Sequence, residues 1–110
     1  MQNVFSFTDF QHKMEGHDRV ALLIHNPENE TSRCAFRKIS EAMYLNQTIA
    51  VFIADISQCK DANKNFGVNT EPTLLLFEKG ERVNELQGCH ESDFYKILIN
   101  NDMTENKIKN

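Results

Sequence analysis

Phe66-Gly67-Val68-Asn69-Thr70-Glu71-Pro72-Thr73-Leu74-Leu75-Leu76-Phe77-Glu78-Lys79-Gly80-Glu81 is the stretch on which the fold of this chain turns. Phe66-Gly67 reads as a helix stop, because glycine enters the left-handed conformation that ends a helix without steric penalty. Pro72 to Phe77 reads as an apolar strand introduced by proline. Glu78 to Arg82 is too short to carry a crossover, so the strand that follows, Val83 to Gln87, must return antiparallel as the second arm of a hairpin.

Before this stretch, Gln58 to Asn65 reads as a short helix with Cys59, Ala62 and Phe66 on one face, preceded by a buried strand, Ile49 to Ala54. Good helix formers run from Thr31 or Ser32 to about Leu45, with Cys34, Ile39, Ala42, Met43 and Leu45 giving one apolar side. Val20 to Ile24 is a continuous apolar run, as expected of a central strand covered on both faces, and it ends at His25-Asn26-Pro27. Val4 to Phe7 reads as a first strand, and Thr8-Asp9-Phe10-Gln11 has the form of a capping box opening a helix that ends near Gly16. Phe5, Phe7, Phe10 and Phe94 are assigned to the core. Asp93 to Ile99 is a last helix with Phe94, Ile97 and Leu98 at helical spacing. The order is β-α-β-α-β-α-β-β-α, an α/β pattern that predicts a central mixed β-sheet flanked by helices.

The 110 residues suffice for one core, so residues 1–99 are expected to form a single domain and 100–110 a polar C-terminal tail. Hydrophobic residues make up 40% and charged residues 25%, ordinary values that argue against wholesale disorder. The formal charge of −4 and the scattered Lys and Arg give no basic stripe for a phosphate backbone, so nucleic acid is not expected as a partner. No apolar run approaches the roughly 20 residues that span a bilayer, so no membrane partner is expected. Met1-Gln2-Asn3-Val4 has no signal-peptide character, and a cytoplasmic protein is the default expectation.

Cys34, Cys59 and Cys89 form an odd, widely spaced set, unlike the frameworks of small secreted domains, so reduced thiols are expected. None shows the paired spacing of a zinc site, and no cofactor is implied. Cys59 reads as a packing residue. His25, beyond the central strand, is either a solvated loop histidine or a base; His12, His17 and His90 carry no pattern.

The quoted stretch resembles the signature of the thioredoxin family: an aromatic-Gly-Val stop, a cis-proline, Thr, an apolar strand and a Gly turn. Asp55 and Leu86-Gln87-Gly88 also stand where that family has similar residues, and the resemblance covers roughly Val4 to Ile99. It implies the thioredoxin fold, a cis bond before Pro72, and backbone groups at Glu71 offered to an extended partner segment. The family's Cys-x-x-Cys pair is missing. Thr31-Ser32-Arg33-Cys34 replaces it with the second cysteine alone, or Cys34-Ala35-Phe36-Arg37 keeps only the first; the former needs the smaller insertion. The family's buried Asp and its Lys partner fall at Leu23 and Val51, so that proton route is absent.

The resemblance therefore points to Cys34 as a lone catalytic thiol exchanging with protein or low-molecular-weight thiols and disulfides, resolved from outside, in the service of redox homeostasis. A helix N-terminus and Arg33 would favour its thiolate, whereas Glu71 opposes it unless Arg33 neutralises the carboxylate. If buried, Cys34 is instead a packing residue. Thr31 reads as the helix cap, and Thr31, Arg33, Glu71, Pro72, Gly88 and Cys89 are the residues expected to border a substrate. Cys89 could resolve Cys34 internally only if the two Cα atoms come within roughly 7 Å. The alternative is a redox-inactive module that binds peptides or proteins through the same groove as a chaperone or assembly factor. Oligomeric state is not legible.

Overall fold

The computed structural model describes residues 1–44 and 48–100. The elements are β1 (Gln2–Asn3), α1 (Phe7–Met14), β2 (Arg19–His25), α2 (Glu30–Met43), β3 (Ala50–Asp55), α3 (Ala62–Phe66), β4 (Thr73–Glu78), β5 (Glu81–Gln87) and α4 (Ser92–Asn100). The strands form one sheet in the order β1-β3-β2-β4-β5. β1 and β2 run parallel to β3, whereas β4 runs antiparallel to both β2 and β5, so the sheet is mixed. The expected order of elements is therefore the observed one.

Burial on both faces explains the unbroken apolar run of β2. Val20, Leu22 and Ile24 face a cluster closed by Phe10 of α1 and by Ala62 and Phe66 of α3. Ala21 and Leu23 face the other layer, where Ala35, Ile39 and Ala42 of α2 meet Tyr95, Leu98 and Ile99 of α4. Side chains alternate across a strand, so His25 continues the series that points toward α2. The hairpin closes through Lys79 and Gly80, both at positive φ (52° and 85°), the backbone that matches the twist of paired strands.

Several boundaries differ from the expected ones. β1 is Gln2–Asn3 and shares no residue with the expected strand Val4 to Phe7, because Ser6 caps α1 and Phe7 is its first residue: Ser6 Oγ accepts from the Asp9 amide at 2.9 Å, and an Asp9 carboxylate oxygen accepts from the Phe5 amide at 2.9 Å. The cap sits two residues before the Thr8-to-Gln11 box, so Phe5 and Phe7 are exposed and only Phe10 enters the core. The short third helix is confined to Ala62–Phe66, since Asp61 at φ 62° breaks any helix begun at Gln58; Cys59, Ala62 and Phe66 are nevertheless all buried. In α4 the inward positions are Tyr95, Leu98 and Ile99, which leaves Ile97 exposed and Phe94 half-buried.

The largest revision concerns α2. It starts at Glu30 with Asn29 as the cap, whose Oδ1 accepts from the Ser32 amide at 3.1 Å, so Thr31 is a helical residue and not the cap. The buried side is Ser32, Ala35, Ile39 and Ala42, a set at helical spacing from which Cys34 is rotated onto the flank. Leu45 lies outside the described residues, as do 101–110 of the proposed tail.

Candidate active site

The loop from β2 into α2 is knitted by its own polar side chains. Asn26 Oδ1 accepts from the Glu28 amide at 3.0 Å, the Asn26 amide donates to Ser32 Oγ at 3.2 Å, and Arg33 Nη1 donates to the Pro27 carbonyl at 2.9 Å. These bonds fix where α2 begins. The quartet at its start is thus Asn29-Glu30-Thr31-Ser32, with Ser32 fully buried, and the Thr31-to-Cys34 reading is displaced by two residues. Cys34 is the fifth helical residue, past the turn in which free amides and the dipole act on a thiol.

Facing this loop, the Glu71–Pro72 peptide bond is cis and Pro72 is buried. Glu71 is drawn sideways: Asn26 Nδ2 donates to one carboxylate oxygen at 3.4 Å and Asn63 Nδ2 donates to the other. Among the described residues no ion pair joins Arg33 to Glu71, so the condition under which Arg33 would neutralise the carboxylate is not met: two amides bind the carboxylate and a carbonyl binds the guanidinium. Thr73 Oγ1 donates to the Thr70 carbonyl at 2.8 Å, and the Gly88 amide donates to the Pro72 carbonyl at 3.0 Å.

That last bond brings the β5–α4 loop against the start of β4, and Gly88 turns it at φ 83°. Cys89 then reaches α2, where it forms a disulfide with Cys34; the Cα atoms are 5.8 Å apart across 55 residues of sequence. This corrects the expectation that Cys34 and Cys89 are reduced thiols and that Cys34 is resolved from outside, and it meets the condition set for Cys89 as an internal partner. The separation lies within the ordinary range for a bridge. Lys38 and Glu91 add an ion pair beside it, with Nζ 3.7 Å from Oε1. Buried Tyr95 supports the loop from below, its hydroxyl accepting from the His90 amide at 3.2 Å and donating to the Gly88 carbonyl at 3.4 Å. Burial pushes the Tyr95 phenol up, against the smaller opposing effect of the His90 amide. His90 donates from Nε2 to the Gln87 carbonyl at 2.9 Å and stacks on Phe94 at 4.8 Å.

His25 is neither a loop residue nor solvated. It is the last residue of β2, 8% exposed, 5.4 Å from the Phe36 ring, and its Nδ1 has no hydrogen-bond partner among the described residues. Burial depresses its pKa below the ordinary 6.5, with Asp55 opposing. Leu23 and Val51 stand on the α2 side of the sheet, Leu23 fully buried. Cys59 is a free, fully buried thiol whose pKa is raised by burial. Among the described residues no group of three or more His, Cys, Asp or Glu could hold a metal ion, and no helix is long and apolar enough to cross a membrane.

Of the expected site residues, the structure joins Cys34 to Cys89 and Pro72 to Gly88. Thr31 and Arg33 lie on the exposed first turn of α2, and Glu71 is turned toward Asn26 and Asn63. Sequence reasoning missed Asn26, Asn29, Ser32, Lys38 and Asn63. An available signal for the cap was Asn29 three residues before Ser32, a spacing that suits an asparagine cap.

These features define an α/β protein with the thioredoxin fold. No protein-family model and no curated protein matches the sequence. Among solved structures, a thioredoxin variant from Halobacterium salinarum is similar at 24% identity, over 89% of this chain and 86% of that one, with a TM-score of 0.78. Mitochondrial thioredoxin 3 from Saccharomyces cerevisiae, in its oxidised form, matches at 13% identity over 91% and 93% with a TM-score of 0.79. Fasciola hepatica thioredoxin matches at 15% over 89% and 96%, also at 0.79. At these identities the likeness is one of fold.

Proposed function

We propose that this protein carries out thiol–disulfide exchange with Cys34 and Cys89 as an intramolecular dithiol/disulfide couple. The observation that carries this reading is the Cys34–Cys89 bond beside the cis-proline turn, with both cysteines half-buried and not sealed in the core. In the reduced protein one thiolate attacks a partner disulfide, forming a mixed disulfide and releasing one partner thiol. The second cysteine then displaces the other partner sulfur, closing the internal bond and leaving the partner reduced by two electrons. An outside resolving thiol, required by a strictly monothiol mechanism, is not needed here. Glu71, Pro72, Gly88, Thr31 and Arg33 border the partner segment in this reading. The partners are proteins or small molecules bearing thiols or disulfides. A cytoplasmic setting suits a bond that is cycled by reductants instead of being kept as a staple.

The test is mass spectrometry of the reduced protein after incubation with a small disulfide. Wild type is expected to lose about 2 Da with no lasting adduct, whereas Cys34→Ser or Cys89→Ser retains at most an adduct on the remaining thiol. A wild type that accumulates the adduct and never closes its own bond contradicts the couple.

A second reading is favoured by one observation: the helix start, Asn29 to Ser32, offers polar caps where an exchanging pair would stand. It makes the protein a redox-inactive peptide-binding module. Partner capture that survives Cys34→Ser and Cys89→Ser together, and fails on substitution of Glu71, selects this reading.

A further inference from the structure

Lys38 lies one helical turn beyond Cys34, and residues four apart on a helix hold their Cβ atoms about 5–6 Å from each other. Its side chain is 26% exposed, while Glu91, its partner at 3.7 Å, is 83% exposed. Glu91 follows Cys89 by two residues, so Lys38 stands between the two segments that carry the sulfurs. A long ion pair with one partner in water is a weak one, and it leaves the ammonium able to take up a second anion.

Reduction of Cys34–Cys89 supplies such an anion. Ionisable residues on the segments that carry the sulfurs and on the elements next to them include Glu30, Arg33, Arg37 and Lys38 on α2, His90 and Glu91 in the loop, Asp93 and Tyr95 on α4, and Glu71 before β4. Arg33 is committed to the Pro27 carbonyl, His90 to the Gln87 carbonyl and Glu71 to two amides. Tyr95 is buried and bonded to Gly88 and His90, and Arg37 is exposed, where water and salt screen it. The helix dipole has faded by the fifth residue. Lys38, one helical turn on from Cys34 and paired to the loop that carries Cys89, is the partly buried cation that spans both sulfur-bearing segments.

We propose that Lys38 is a positioning residue that holds Cys34 as the thiolate in the reduced protein, making Cys34 the attacking sulfur and Cys89 the resolving one. This rests on the reading of the two cysteines as a couple. The Cys34 electron pair forms a bond to one partner sulfur as the partner's S–S bond breaks, and the leaving thiolate takes a proton from water. Cys89 gives its proton to water and displaces the partner from Cys34. The internal disulfide is restored with the partner reduced, and Lys38 returns to Glu91 alone.

The experiment uses the full reduced chain, pulsed with iodoacetamide from about pH 5 to about pH 10, a span that brackets the free-thiol value of roughly 8.5. Each cysteine is read separately by peptide mass spectrometry. In wild type, Cys34 is expected to label faster than Cys89 near neutral pH. Lys38→Gln should slow Cys34 by about threefold and move its profile to higher pH, the net of a smaller thiolate fraction and a more nucleophilic sulfur. Lys38→Arg should restore it, Arg37→Gln should leave it in place, and Glu91→Gln should speed it. A Cys34 profile unchanged in Lys38→Gln, a shift confined to Cys89, or a wild type in which Cys89 labels ahead of Cys34 overturns the proposal. Unlabelled Cys59 certifies that a variant is folded. Failure of the couple reads out elsewhere, as a wild type that does not regain the Cys34–Cys89 cross-linked peptide on reoxidation.

Discussion

His25 closes β2 with its imidazole nearly dry and Nδ1 unpartnered among the described residues, so charging it in the folded state is unfavourable. Its folded pKa is depressed, chiefly by burial, while the unfolded chain protonates it near the ordinary 6.5. Below that value the unfolded state binds the extra proton, so stability present above it is lost as pH falls toward the depressed folded value. His25→Phe, which fills the site with an apolar ring beside Phe36, should therefore flatten the fall of the thermal midpoint as the solution is acidified from neutral. Parallel declines in the two proteins would contradict this account. Cys59 presents the opposite case: burial among Phe10, Ala62 and Phe66 raises its pKa and keeps it a neutral packing residue. Its resistance to alkylation should persist until the protein unfolds.

At the scale of elements, the start of α2 determines what the site can be. Asn29 caps it, and Ser32 both occupies the cap's acceptor and receives the Asn26 amide. Asn29→Ala should lower stability by about 1 kcal/mol in urea denaturation, the usual cost of losing such a cap, while leaving the Cys34–Cys89 bond formed. Strands β2, β3 and β4 were legible because Val20 to Ile24, Ile49 to Ala54 and Pro72 to Phe77 are apolar runs of strand length set between turn residues, whereas the apolar Val4 to Phe7 mislocated β1. The position of Cys34 was not. Local propensity allows α2 to begin at Asn29, Thr31 or Ser32, and a shift of two residues rotates every side chain by about 200° at 3.6 residues per turn. That rotation separates a thiol at the helix start from one on the flank that faces Cys89. The pairing itself depends on a β5–α4 loop brought in by the Gly88-to-Pro72 hydrogen bond, a contact between residues 16 apart that no periodicity reveals.

For the whole molecule, the Cys34–Cys89 bridge closes a loop spanning 55 residues and ties α2 to the loop entering α4, two segments already adjacent in one core layer. A link of that span restricts the unfolded chain, and reduction should lower stability by about 2–4 kcal/mol while the fold persists. Urea denaturation with and without a reductant measures this; loss of all cooperative unfolding in the reduced protein would show that the bridge is required for folding and cannot be cycled. Thiol–disulfide exchange requires that the bond open and close reversibly in the folded protein. Its most direct test is equilibration of the full chain across a series of thiol/disulfide buffers, followed by quenching and quantification of the Cys34–Cys89 cross-linked peptide. A reversible two-electron transition is expected, reached from either direction, with Cys59 free throughout. A cross-link that forms at no buffer ratio, or one that opens only when the protein unfolds, would contradict it.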